Sequence, residues 1–272
     1  MPSVLITGCS SGLGRTAALY FADKGWNVIA TMRQPQPDSE LDNQPGIWVT
    51  RLDVQDSNSI RQAIAEGIRR FGHIDVVINN AGFGLFGVFE ATSEQKIQQQ
   101  FDVNLFGVMR VCREILPHFR ARKSGVIVNI SSGAGVFTLP MISSYSASKF
   151  ALEGFSEALR YELRSLGIRV KIVEPGGVVS TRFGQRSAEE AATLATVDDY
   201  QPFIDSSMQH FARLRAERLA SEQDVADVIF RASSDGSAQL RYVATEDIMP
   251  LVQARRETSE ADYIALMDSQ FS

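Results

Sequence analysis

The sequence is poor in the residues that metal chemistry and disulfide scaffolds need. It has 2 Cys and 3 His in 272 residues. Cys9 and Cys112 cannot build a disulfide framework, and a reducing compartment fits them. His73, His118 and His210 are widely scattered, which argues against a multi-His or Cys-rich zinc site, so no metal is expected. No apolar run approaches the ~18 residues of a membrane span. The first residues, Met1 to Thr7, lack a basic stretch, so a cleaved signal peptide is not expected. Positive charge is not in excess either. The formal net charge is −5, and a general nucleic-acid binder would usually show a basic face. The short run Arg120-Ala121-Arg122-Lys123 reads as a solvated helix end. Twenty Gly and nine Pro are too few for collagen or a low-complexity polymer. What remains is 44% hydrophobic and 22% charged, the composition of a soluble, cytoplasmic protein with a real core.

Short apolar runs alternate with longer amphipathic stretches. Candidate strands lie at residues 4–7, 27–32, 47–52, 75–79, 126–131, 170–174 and 240–244. Most are rich in Val and Ile and apolar on both faces, as parallel strands covered by helices are. Helical spacing appears at residues 13–24, 57–71, 93–120 and 144–166. The alternation predicts an α/β fold: one Rossmann-type, doubly wound domain over residues 1–272, with a mostly parallel seven-stranded sheet and helices on both faces. Residues 183–218 form a long connection without a strand, which reads as a lid or substrate loop. The tail at 250–272 reads as helical.

Thr7-Gly8-Cys9-Ser10-Ser11-Gly12-Leu13-Gly14 follows the first strand and opens a helix. Glycines there let the backbone turn tightly against a pyrophosphate, whose charge sits on free N–H groups of the helix N-terminus. The spacing, Gly-x₃-Gly-x-Gly, departs from the commoner dinucleotide pattern, so the reading rests on mechanism and on the strand–turn–helix context. Gly8-Cys9-Ser10-Ser11-Gly12 also matches the nucleophile elbow of serine hydrolases, but no earlier strand precedes it to carry an oxyanion loop. Ser146-Ala147-Ser148-Lys149 matches a penicillin-binding motif whose companion motifs are missing. The second strand ends Ala30-Thr31-Met32-Arg33. No acid stands there to hold a ribose diol, and Arg33 can pair with a 2′-phosphate instead. This favours NADP(H) over NAD(H).

Tyr145 and Lys149 are four residues apart on a helical pattern and share a face. A nearby ammonium favours the phenolate and is expected to lower the Tyr145 pKa towards the range of a working acid or base. Ser132 follows a strand end, where ligands bind in open α/β sheets.

These motifs, with Asn79-Asn80-Ala81-Gly82, Asn104, Ser131-Ser132 and Pro175-Gly176, resemble in order and spacing the short-chain dehydrogenase/reductase family, in its compact branch. The resemblance runs from residue 3 to about 183 and implies the following roles. Tyr145 donates a proton to a carbonyl oxygen in reduction and accepts it in oxidation. Lys149 holds the nicotinamide ribose, Ser132 bonds the substrate oxygen, and Asn104 anchors a water that links Lys149 to solvent. Gly8, Ser10, Ser11, Gly12, Leu13 and Gly14 meet the cofactor phosphates. Asp53 and Val54 contact adenine; Asn80, Ala81 and Gly82 line the adenosine side. Pro175, Gly176 and Val178 are further cofactor contacts. The family's carboxamide-binding Thr would stand at Ser180, but Thr181 in Thr181-Arg182-Phe183 restores the pattern one residue late and is preferred.

Candidate pocket residues are Phe83, Leu85, Phe86, Phe89, Val136, Phe137, Leu139, Met141, Phe183, Phe203, Met208 and Phe211, which suit a bulky hydrophobic ketone or secondary alcohol. Scattered aromatics of this kind can also simply fill the core. The glycine turn, the Ala30–Arg33 strand end and Asn104-Leu105-Phe106-Gly107 look similar to NADP(H)-linked hydroxysteroid and retinol dehydrogenases. The expectation is an NADP(H)-dependent oxidoreductase forming a homodimer or homotetramer. The alternative is a catalytically silent NADP(H)-sensing protein, which the presence of both Tyr145 and Lys149 disfavours.

Overall fold

The computed structural model describes residues 1–36, 40–178, 190, 197–216 and 220–271. Its centre is a seven-stranded sheet: β1 (Ser3–Thr7), β2 (Asn27–Met32), β3 (Ile47–Arg51), β4 (Val76–Asn79), β5 (Gly125–Ile130), β6 (Ile168–Glu174) and β7 (Arg241–Val243). The spatial order is β3-β2-β1-β4-β5-β6-β7, and every neighbouring pair runs parallel. All carboxyl ends therefore lie on one edge. The order reverses between β1 and β4, so a ligand crevice opens there.

Alternation along the strands divides the core in two. Val4, Ile6, Val28, Ala30, Val76, Ile78, Val126 and Val128 share one cluster with Ala17, Ala18 and Phe21 of α1 (Gly12–Asp23). The other face packs Leu5, Ile29, Val77 and Ile127 against α2 (Ser57–Phe71), α4 (Gly107–Arg122) and α5 (Ser143–Leu163). Both faces being covered explains why these strands read as continuous apolar runs. Local signals close the helices. The Asp56 side chain accepts from the Asn58 and Ser59 N–H groups at the start of α2, and Gly72 ends it at φ +82°.

Two expectations change. Residues 93–120 are not one helix: α3 (Glu94–Phe101) passes through a π-turn at Asp102–Phe106 into α4. Gly107 N–H donates five residues back, to Asp102 O, so one extra residue is looped into the turn. Within 183–218, residues Gln201–Ala216 form helix α6; residues 183–189, 191–196 and 217–219, with Phe183, lie outside the described residues.

After α7 (Glu222–Ser234), β7 leads to α8 (Met249–Glu257) and α9 (Glu260–Phe271). Val252, Tyr263 and Met267 of this tail pack on Val136 and Phe137, just beyond β5. Among the described residues, no helix is long and apolar enough to cross a membrane.

Candidate active site

The glycine turn lies in the crevice between β1 and β4. Gly8 and Gly12 adopt φ of +77° and +58°, a region that disfavours side chains. Close approach constrains Gly14: a Cβ there would stand 2.3 Å from Gly8 O and 2.5 Å from Asn80 Nδ2. Asn80 locks the turn, donating from Nδ2 to Thr7 O at 2.9 Å and Gly8 O at 3.2 Å. Thr7 Oγ1 in return accepts from the Asn80 and Ala81 N–H groups, both at 3.0 Å. Helix α1 starts directly after this loop. Ser11, at its N-cap, makes no side-chain cap, so the first-turn N–H groups remain available to phosphate oxygens. The residues present thus fit a dinucleotide pyrophosphate, with Ser10, Ser11, Gly12 and Leu13 along the turn. Thr7, quoted within the motif but given no role from sequence, is the hinge pin of this loop.

Arg33 lies exposed just past the end of β2, beside the turn, because Cys9 N–H donates to Thr31 O at 2.8 Å. Asp53 and Val54 follow β3 on the same edge. Asp53 Oδ1 accepts from Gln55 N at 3.0 Å, and Val54 packs so closely that a Cβ on Gly107 would meet its Cγ2 at 2.8 Å.

At the end of β5 the chain turns through Ser131 and Ser132. The Ser132 hydroxyl hydrogen-bonds Tyr145 and also accepts from Ala134 N at 3.1 Å. Ser131, the neighbouring alternative, instead sits beside Glu153. Tyr145 and Lys149 are both buried on one face of α5. The Lys149 ammonium donates to Ile130 O at 2.8 Å and lies 5.8 Å from the Tyr145 ring centroid.

The expected lowering of the Tyr145 pKa is not found. Burial pushes it up to about 12, and the Ser132 hydrogen bond only moderates this. Lys149 itself is drawn down to about 8 by burial, against the attraction of Glu153. Desolvation penalises both charged forms, and the ammonium donates a hydrogen bond to a backbone carbonyl.

Asn104 sits in the π-turn. Its Oδ1 accepts from Phe83 N at 3.1 Å, and its Nδ2 donates to Phe83 O at 2.8 Å and Ser148 Oγ at 3.1 Å. Ser148 donates onward to Tyr145 O at 2.7 Å. Ser148 therefore ties Asn104 to the Tyr145 turn; its place inside the Tyr145–Lys149 motif was the available signal. Gly82 backs onto Asn104, whose Oδ1 would be 3.2 Å from a Cβ there.

Pro175 and Gly176 continue from β6. Gly133 N donates to Pro175 O at 2.8 Å, while Thr245 Oγ1 and Asp247 Oδ2 accept from the N–H groups of Gly176 and Gly177, both at 2.8 Å. Val178 bridges to Ala220. Ser180 and Thr181 lie outside the described residues.

A cleft of about 500 Å³ is lined by Gly87, Val88, Phe89, Glu90, Met141, Ser143, Tyr200 and Phe203. Met141 takes a left-handed φ of +61°, and its carbonyl accepts from Gly87 N at 2.7 Å, joining the two sides. Of the expected pocket residues, Phe89, Met141 and Phe203 line this cleft. Phe83, Leu85, Val136 and Phe137 are instead buried, Val136 and Phe137 against the C-terminal helices.

The family model for short chain dehydrogenases matches residues 2–192. The chain is similar to 17-beta-hydroxysteroid dehydrogenase type 1 of Homo sapiens, 33% identical over 282 residues, covering 97% of this chain and 84% of that protein. It is 34% identical over 263 residues to retinol dehydrogenase 8 of Bos taurus, covering 92% and 83%. A solved short-chain dehydrogenase from Streptomyces avermitilis superposes with a TM-score of 0.83 at 31% identity, covering 98% of this chain and 96% of that one. ElxO with NADP bound has a TM-score of 0.73 at 25% identity, covering 89% and 97%. A short-chain dehydrogenase/reductase from Burkholderia phymatum in complex with NAD shares the fold, with a TM-score of 0.78 at 24% identity over 94% and 93% of the two chains. The matched span contains the glycine turn, Asn104, Ser132, Tyr145 and Lys149, and the chain belongs to the short-chain dehydrogenase/reductase family of oxidoreductases.

Proposed function

We propose that the protein is an NADP(H)-dependent carbonyl reductase or alcohol dehydrogenase for a bulky hydrophobic ketone or secondary alcohol. The observation that carries this reading is the burial of Tyr145 and Lys149 beside Ser132, which hydrogen-bonds Tyr145, on the edge that also bears the glycine turn. NADP(H), when bound, supplies or takes the hydride. Tyr145, kept protonated across the neutral range by burial, gives its proton to the carbonyl oxygen and recovers it in the reverse direction. Ser132 orients that oxygen with a hydrogen bond. Lys149 holds the nicotinamide ribose. Asn104, fixed by Phe83 and Ser148, anchors the water that connects Lys149 to solvent.

Gly8 to Gly14 cradle the pyrophosphate, Asp53 and Val54 flank adenine, and Asn80, Ala81 and Gly82 line the adenosine. Pro175, Gly176, Val178 and Thr181 border the nicotinamide. Arg33 reads the 2′-phosphate; no acid stands at the β2 end to repel it. The apolar cleft beside Met141 and Phe203 supports a bulky substrate, as do the names of the steroid and retinol relatives. The chain works in the cytoplasm as one catalytic unit of residues 1–272, in a homodimer or homotetramer joined through α3–α4 and α5.

A panel of aryl, steroid and retinoid carbonyls, assayed with NADPH and NADH in parallel, tests the reading. Turnover with NADPH is expected. Cofactor binding without hydride transfer to any member would overturn it in favour of the sensing protein.

A further inference from the structure

A buried charge cluster runs from the Tyr145–Lys149 helix to the C-terminal tail. Glu153 lies one helical turn beyond Lys149 on α5 and is 6% exposed. Its Oε2 accepts from Arg241 Nε of β7 at 3.0 Å. Its Oε1 has no hydrogen-bond partner among the described residues. Glu174, at the carboxyl end of β6, is fully buried. Its Oε1 is 3.6 Å from Arg241 Nε and 2.6 Å from Arg256 Nη2 of α8. Glu157, at the solvent edge, takes another Arg241 N–H. One guanidinium is thus shared by three carboxylates and cannot neutralise each of them.

Packing joins this cluster to the catalytic loop. A Cβ on Gly135 would stand 2.7 Å from Ser131 Oγ and 3.2 Å from both Glu153 Cγ and Lys149 O. Ser131, the Lys149 turn and Glu153 therefore fit against the loop that carries Ser132, with no spare room.

We propose that Glu153 is a positioning residue for Lys149, its carboxylate, fixed by Arg241, keeping the buried ammonium charged at working pH, and that Glu174 and Arg256 set the strength of this effect. The proposal rests on the reading of Tyr145 and Lys149 as the working pair. The groups facing Glu153 are Lys149 and Glu157 on its own helix, Ser131 after β5, Glu174 of β6 and Arg241 of β7, with Arg256 of α8 behind Glu174. Burial disfavours the Lys149 charge, and the Glu153 carboxylate is the opposing attraction. Burial and then Glu174 raise the Glu153 pKa, and Ser131 and Arg241 hold it back towards the charged form. Removing the Glu153 carboxylate lowers the proton affinity of Lys149, which shifts the alkaline limb of activity down. Removing Arg256 makes the cluster more negative and acts the opposite way.

The experiment is the pH dependence of kcat/KM for NADPH-linked ketone reduction by the wild type, Glu153→Gln and Arg256→Met, with folding checked by circular dichroism. Glu153→Gln is expected to move the alkaline limb down by roughly one pH unit, with NADPH affinity at pH 6.5 unchanged. Arg256→Met is expected to move it up by less. A Glu153→Gln limb that coincides with the wild type in a folded protein overturns the proposal. If Glu153→Gln fails to fold, Arg256→Met decides, and a limb unmoved or lowered overturns it. If the wild type reduces no carbonyl, the functional reading fails. The Glu153–Lys149 coupling is then read from the Lys149 ¹⁵Nζ titration, assigned by difference with Lys149→Met. A midpoint equal in wild type and variant refutes the coupling.

Discussion

Tyr145 and Lys149 show burial outweighing proximity. Lys149 is drawn from 10.5 to about 8, so between those values the unfolded chain holds the proton that the folded chain has lost. Its contribution to stability is therefore least favourable below pH 8 and recovers as the pH rises from 8 to 10.5. Tyr145 is raised from 10 to about 12; its contribution is complete below pH 10 and is lost as the pH rises towards 12. Replacing the buried ammonium by an apolar group of similar length removes a desolvation cost. It also removes the donor to Ile130 O and the cation facing Glu153, so Lys149→Met is expected to leave stability at pH 7 within about 1–2 kcal/mol of the wild type while depressing turnover; paired melting curves and rates check this. Tyr145→Phe keeps the ring in its packed site and removes only the transferable proton. It is expected to cut kcat by roughly 10²–10⁴ with NADPH binding intact, measured by nicotinamide fluorescence.

The glycine turn and the π-turn are where elements do their specific work. The turn is built by Thr7, Asn80 and Gly14 meeting across the β1–β4 crevice. Gly14→Ala places a methyl against backbone that cannot yield cheaply, so NADPH affinity is expected to fall at least tenfold, with loss of stability, by titration and thermal melting. The end of β2 is a separate lever. Arg33→Asp exchanges an exposed cation for an anion without disturbing packing. The ratio of kcat/KM for NADPH over NADH is expected to fall by roughly tenfold or more, since the proposed Arg33–phosphate pairing would become a repulsion. An unchanged ratio would remove Arg33 from the phosphate site. The π-turn was not legible in the sequence, because the apolar spacing of α3 and α4 runs through Asp102–Phe106 as if the helix were continuous. Within it Asn104 bonds both Phe83 and Ser148, contacts between segments remote in sequence that helical periodicity does not report.

For the whole molecule, parallel pairing gathers all the loops that matter on one edge, and the C-terminal helices close that edge from the β7 side through Phe137 and Tyr263. Apolar side chains remain outside on the segments proposed for self-association: Phe106, Phe150 and Tyr161 are 48%, 38% and 67% exposed. Phe150→Glu is expected to shift the sedimentation coefficient to that of a smaller species; an unchanged coefficient would place the subunit contact elsewhere.

What the sequence by itself determined is local. Strand positions came from Val- and Ile-rich runs that need cover on both faces, and the glycine turn, Ser132, Tyr145 and Lys149 were marked by short-range spacing that a strand end or helical turn must obey. Tertiary structure alone decided how these groups behave. The upward shift of Tyr145 depends on which side chains exclude water from it, and the contacts of Ser132 with Tyr145 and of Ser131 with Glu153 depend on how the end of β5 packs on α5. The link of Glu153 to Arg241, 88 residues away, depends on where β7 docks beside β6. Spacing along a chain carries no measure of desolvation or of distance between remote strands, and these two quantities set the chemistry of the site.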